Sequence, residues 1–144
     1  MSRTPGEILA YARTVAVVGV SRDPGKAAGK IPHLLQHRGF RIIPINPGGE
    51  AILGERTYAS LLEIEEPVDV VDVFRPAAEA PDIARQAVAI GARALWLQLG
   101  IKSEEARSIA EAGGLDYVED LCMGTESVRL QIAQTPKVRL QRKP

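Results

Sequence analysis

The sequence predicts an α/β domain of the doubly wound kind, a five-stranded parallel sheet with helices on both faces. Three observations predict it. Short β-branched runs alternate with amphipathic stretches along the chain, the pattern of repeated βα units. The runs at residues 15–18 and 70–71 are continuously apolar, as strands buried on both faces must be. Gly39, Gly91 and Gly113 stand where helix C-caps belong.

The elements follow in order. Thr4-Pro5-Gly6-Glu7 opens the first helix, with a threonine N-cap, a proline at the first helical position and a glutamate three residues on that completes a capping box. Strands are predicted at residues 15–18, 41–45, 68–74, 94–97 and 117–118. Between them lie helical patterns at 27–38, 78–90 and 103–112, and a short helical turn at 60–64. Right-handed crossovers most economically arrange the five strands in the order 3-2-1-4-5. That order opens a crevice between the ends of strands one and four, and sets the loop 19–27 opposite Trp96-Leu97-Gln98. Residues 1–134 form one domain. The tail 135–144 carries four basic residues, two prolines and no acid, which reads as a loosely attached arm.

Size and charge narrow the function. A chain of 144 residues buries one core, too little for a binding domain plus a full catalytic domain. Lys plus Arg equals Asp plus Glu at 18 each, so a general nucleic-acid or membrane-surface binder is disfavoured and any anion site must be built locally. Cys122 is the single cysteine, which excludes an internal disulfide. The N-terminus lacks a signal-peptide pattern, and no apolar run approaches the roughly 18 to 20 residues of a membrane span, so the cytoplasm is the expected location.

The loop Gly19-Val20-Ser21-Arg22-Asp23-Pro24-Gly25-Lys26-Ala27 is the most informative stretch. A glycine-containing turn that enters a helix offers backbone N–H groups to an anion. Walker A spacing is broken, because five residues rather than four separate Gly19 from Gly25 and Ala27 replaces the magnesium-holding Ser or Thr. The dinucleotide fingerprint fails too: the glycines at 19, 25 and 29 are misplaced, and the second strand ends in Asn46-Pro47 rather than an acid for a ribose. What remains is a cluster of Arg22, Lys26 and Lys30 against Asp23 at a helix start, suited to a pyrophosphate or ribose phosphate, or else a solvated turn.

Four segments carry a resemblance: Val17-Val18-Gly19-Val20-Ser21 with Pro24 and Lys26; Pro44-Ile45-Asn46-Pro47; Val68-Asp69-Val70-Val71-Asp72-Val73-Phe74-Arg75; and Trp96-Leu97-Gln98-Leu99-Gly100-Ile101. Over residues 8–130 the chain resembles the stand-alone CoA-binding domain proteins, which are similar in fold to the N-terminal domain of the succinyl-CoA synthetase alpha subunit. The resemblance implies a Rossmann-like fold and coenzyme A, or an acyl-CoA, as ligand. Carried onto matching positions, it implies Gly19, Val20, Ser21, Arg22, Lys26, Asn46, Pro47, Phe74 and Arg75 as the binding residues. Two departures stand out. Relatives often carry a lysine where this chain has Asn46-Pro47-Gly48-Gly49, and a histidine is common at the position of Ser127. The synthetase domain bearing the phosphorylated histidine has no counterpart here, so ligase activity by this chain alone is not expected.

The residues have other readings. Arg75, held extended by Pro76, fits a phosphate clamp or a surface pair with Glu79. Asn46 could simply cap a turn before Pro47. Trp96 reads as core packing. His33 and His37 share an i, i+4 face but lack a third ligand, so they read as a solvated pair. Cys122 is either a thiol near the crevice, able to pair with that of CoA, or a buried inert one. Three functions are weighed: a CoA-binding carrier, sensor or partner subunit; an enzyme using NAD(P) or another nucleotide, for which no catalytic set is evident; and an interaction domain with a vestigial pocket. A protein partner or homo-oligomer stays open.

Overall fold

A computed structural model describes residues 2–134. The elements run α1 (Pro5–Tyr11), β1 (Thr14–Val18), α2 (Ala27–His37), β2 (Arg41–Ile45), β3 (Val70–Val73), α3 (Ala80–Ala89), β4 (Ala94–Leu97), α4 (Glu104–Ala112), β5 (Asp116–Val118) and α5 (Met123–Arg129). Single 3-10 turns at Leu61–Glu63 and Ala77–Glu79 precede β3 and α3. All neighbouring strands pair in parallel, and the fold is the Rossmann-like α/β architecture expected. The tail 135–144 lies outside the described residues.

The strand order corrects the expectation. It is 2-1-3-4-5, not 3-2-1-4-5. Pro44 gives the physical reason. Residues 41, 43 and 45 turn their polar groups towards β1, so Pro44, with no N–H, faces the other side of β2. A strand there would lose a ladder bond, which confines β2 to an edge. The segment at Tyr58 covers that edge instead, its N–H donating to Pro44 O (3.0 Å) and its carbonyl accepting from Asn46 N (2.8 Å). β3 therefore pairs on the free side of β1, with Val15 opposite Val70 and Val18 opposite Val73.

Two apolar layers flank the sheet. On one face Ile8 and Leu9 of α1, Leu35 of α2 and Met123 of α5 pack on Val15, Val17, Val70 and Trp96. On the other, Ile83, Ala84 and Ala87 of α3 and Ala106 and Ala110 of α4 pack on Ala16, Val71, Val73, Leu95 and Leu97. The capping box of α1 forms in both directions, Thr4 Oγ1 accepting from Glu7 N and Glu7 Oε1 from Thr4 N. Gly39 and Gly91 take the left-handed conformation at φ of 94° and 74°; after α4 that task passes from Gly113, at −85°, to Gly114, at 83°. Helix α5 was not expected from sequence, where Gly124 and the β-branched Thr125 and Val128 weaken the local helical signal. Gly124 lets it approach α2, since a Cβ there would lie 3.0 Å from Ile31 and 3.1 Å from Leu34.

Candidate functional site

In the order 2-1-3-4-5 the connections from β1 and β3 leave in opposite directions, so the crevice opens between the C-terminal ends of these two strands. The expected opening between strands one and four does not exist, because β3 lies between β1 and β4. The loop after β1 stands beside Phe74-Arg75, with Phe74 N donating to Val18 O (2.9 Å). The Trp96-Leu97-Gln98 segment serves the core: Trp96 is fully buried with its indole N–H on Leu121 O (2.8 Å), and Gln98 Oε1 accepts from Met123 N (3.0 Å).

A cleft of about 700 Å³ occupies this switch point. Gly19 and Val20 form its β1 wall, Asn46 and Pro47 its β2 wall and Arg75 its β3 wall. Gly19 sits at φ +90°, and a Cβ on it would lie 2.7 Å from Cδ of Arg75, so the arginine stem passes directly over the loop. Its N–H is already given to Ile45 O (3.3 Å). Asn46 ties the walls together, Nδ2 donating to Val20 O (2.9 Å) while Oδ1 accepts from Gly48 N (2.7 Å) in an Asx turn. Arg75 lies in water with its fork on Glu79 (3.0 and 2.8 Å), a kind of exposed i, i+4 pair generally worth about 0.3–0.5 kcal/mol. Each partner favours the other's charged form, so the Glu79 carboxyl titrates below its ordinary range.

The other expected residues lie elsewhere. Ser21 and Arg22 face a smaller depression of about 220 Å³ beside Pro24, Gly29 and His33. Arg22 is engaged there, donating to the carbonyls of Glu50 and Ala51 at 2.8 Å each. Lys26 is exposed at the N-cap of α2 and makes no side-chain cap. Phe74 is half-buried and packs into the α1/α2/α5 layer, outside the lining of the cleft. The loop is braced internally, Ser21 Oγ accepting from Asp23 N (3.0 Å) and Asp23 Oδ1 from Gly25 N (2.8 Å).

A family model for the CoA binding domain matches residues 13–127. The chain belongs to the CoA-binding domain family. It is 35% identical over 117 residues to the uncharacterized protein YneT of Bacillus subtilis, covering 81% of this chain and 87% of that one. It is 33% identical over 105 residues to the ADP-forming acetate–CoA ligase II of Archaeoglobus fulgidus, covering 72% of this chain but 16% of the ligase. A solved structure from Thermus thermophilus superposes with a TM-score of 0.84 at 37% identity, covering 89% of this chain and 99% of that one. A hypothetical protein from Pyrococcus horikoshii gives 0.85 at 32% identity, covering 90% and 93%.

In this CoA-binding domain the far wall of the cleft escaped sequence reasoning. Ser60 donates to Gln86 Oε1 (3.3 Å), and Gln86 Nε2 donates to Asp82 Oδ2 (2.9 Å), a polar line running from the 3-10 turn to α3. Its members fall in a long connection and on a helix face, away from the strand ends that topology marks. Only the edge position that Pro44 imposes on β2 would have pointed there. The cleft fits a nucleotide-sized ligand in volume, with apolar stretches at Val20, Pro47 and Leu61 and a guanidinium at the mouth. Among the described residues no group of three or more His, Cys, Asp or Glu could hold a metal; His33 and His37 are exposed and stack edge-on at 4.6 Å.

Proposed function

We propose that this chain binds coenzyme A or an acyl-CoA in the β1/β3 cleft and acts as a carrier, a sensor or the binding subunit of a larger assembly. The observation that carries the reading is the coincidence of a CoA binding domain match over residues 13–127 with a nucleotide-sized cleft at the switch point. In this reading Gly19 and Val20 give backbone surface to the phosphates, Asn46-Pro47 walls the adenine side, and Arg75 supplies the guanidinium. Ser21, Arg22 and Lys26 act from the rim of the same loop, and Phe74 anchors in the α1/α2/α5 layer the strand end that carries Arg75. The chain spans 16% of the Archaeoglobus fulgidus ligase, and in this reading it contributes the binding of CoA to a larger assembly. No helix among the described residues is long and apolar enough to cross a membrane, and a cytoplasmic location with neither nucleic-acid nor membrane partner belongs to this reading.

A thermal-shift series with CoA, acetyl-CoA, NAD, NADP and ATP tests it. A ligand that binds the folded state alone at a hundredfold excess over its Kd adds about 2.7 kcal/mol, on the order of 10 °C in Tm for a chain of this size. CoA or acetyl-CoA is expected to give the largest shift. A larger shift with NAD or NADP would overturn the reading.

A further inference from the structure

Two acids, Glu79 and Asp82, border a cleft whose lining holds one guanidinium, that of Arg75. The fork of Arg75 grips both oxygens of Glu79, Nε on Oε1 and an Nη on Oε2. That is the geometry with which arginine takes a phosphate. Its stem is held over Gly19, so the guanidinium has a fixed anchor and a short reach. Glu79 closes the 3-10 turn Ala77–Glu79 at the N-terminus of α3 and makes no side-chain cap there, so among the described residues its side-chain hydrogen bonds go to Arg75. Both side chains are 47% exposed, leaving the pair open to exchange with a dissolved anion.

We propose that Glu79 sets the ligand affinity and selectivity of the cleft by occupying Arg75 in the free protein, where a ligand phosphate would otherwise sit. Resting on the CoA-binding reading, this adds the residue that tunes it. An incoming phosphate takes both guanidinium nitrogens and displaces the carboxylate. A monoanionic carboxylate gains little from that exchange, because Glu79 is tethered and present at high effective concentration. A phosphate, with more charge and three acceptor oxygens, gains more. The pair thus filters for phosphate-bearing ligands.

The test is isothermal titration with CoA at low ionic strength on the wild type, Glu79→Gln, Arg75→Gln and the double variant, each first checked for folding by circular dichroism. Glu79→Gln is expected to bind CoA about three- to tenfold more tightly than the wild type. Arg75→Gln is expected to bind more weakly, and adding Glu79→Gln to it should return little or nothing. Unchanged or weaker binding by Glu79→Gln overturns the role of Glu79 while leaving the CoA reading intact. So does a gain that survives undiminished without Arg75, since it would then reflect general charge. Failure of every protein, wild type included, to bind CoA overturns both readings.

Discussion

Gly19 meets two demands at once, a φ of +90° and the passage of the Arg75 stem within 2.7 Å of where a Cβ would stand. Gly19→Ala is therefore expected to keep the fold but displace Arg75 and weaken CoA binding by at least about tenfold, read by titration. Wild-type affinity in that variant would remove Arg75 from the site. Five of the nine residues named from the sequence line the cleft: Gly19, Val20, Asn46, Pro47 and Arg75. Those five stand at strand ends, where chain order already dictates position. Arg22 could not be placed from sequence, because its partners, the carbonyls of Glu50 and Ala51, depend on how the next connection folds back. Asp72 was equally illegible as a buried acid. Set in β3 between Val17 and Trp96, it is fully buried and neither oxygen has a partner among the described residues, so burial pushes its carboxyl well above the ordinary range. The folded state thus keeps a proton that the unfolded chain releases above about pH 4, and stability falls as pH rises from there towards the folded-state value. Asp72→Asn is expected to match the wild type near pH 4 in denaturant melts and to exceed it increasingly at higher pH; parallel pH profiles would contradict this.

At the scale of elements, periodicity located every strand of the described residues and α2, α3 and α4, because each carries its own buried face, while the capping box marked the start of α1. Sequence could not yield α5, whose helicity comes from docking on α2 through Gly124 rather than from propensity. The order of strands was a matter of pairing, and one residue, Pro44, decided it by making β2 an edge. The segment leading into α5 is tied back to the end of β4 by Gln98 Oε1, which accepts from Met123 N, and by one bond from a buried indole, Trp96 Nε1 to Leu121 O. Trp96→Phe deletes that bond and leaves a void in the layer, so a loss of about 2–4 kcal/mol is expected in urea melts, with the denaturant slope unchanged. A loss below about 0.5 kcal/mol would show that the bond and the packing there are replaceable.

Across the whole molecule the charges balance at 18 of each sign, so no overall field draws a polyanion in. Recognition must be local, at the one crevice where the connections of β1 and β3 diverge. The order 2-1-3-4-5 moves that crevice from the β4 end to Arg75, and it brings five of the nine residues implied by family likeness to the opening set by topology. The most direct measurement is a titration of uniformly ¹⁵N-labelled protein with CoA, followed by amide chemical shifts. The account predicts that the largest perturbations fall on residues 19–22, 46–48 and 74–79, the three strand ends around the cleft. Perturbations centred instead on the β4 and β5 ends, or on the outer faces of α3 and α4, would contradict it.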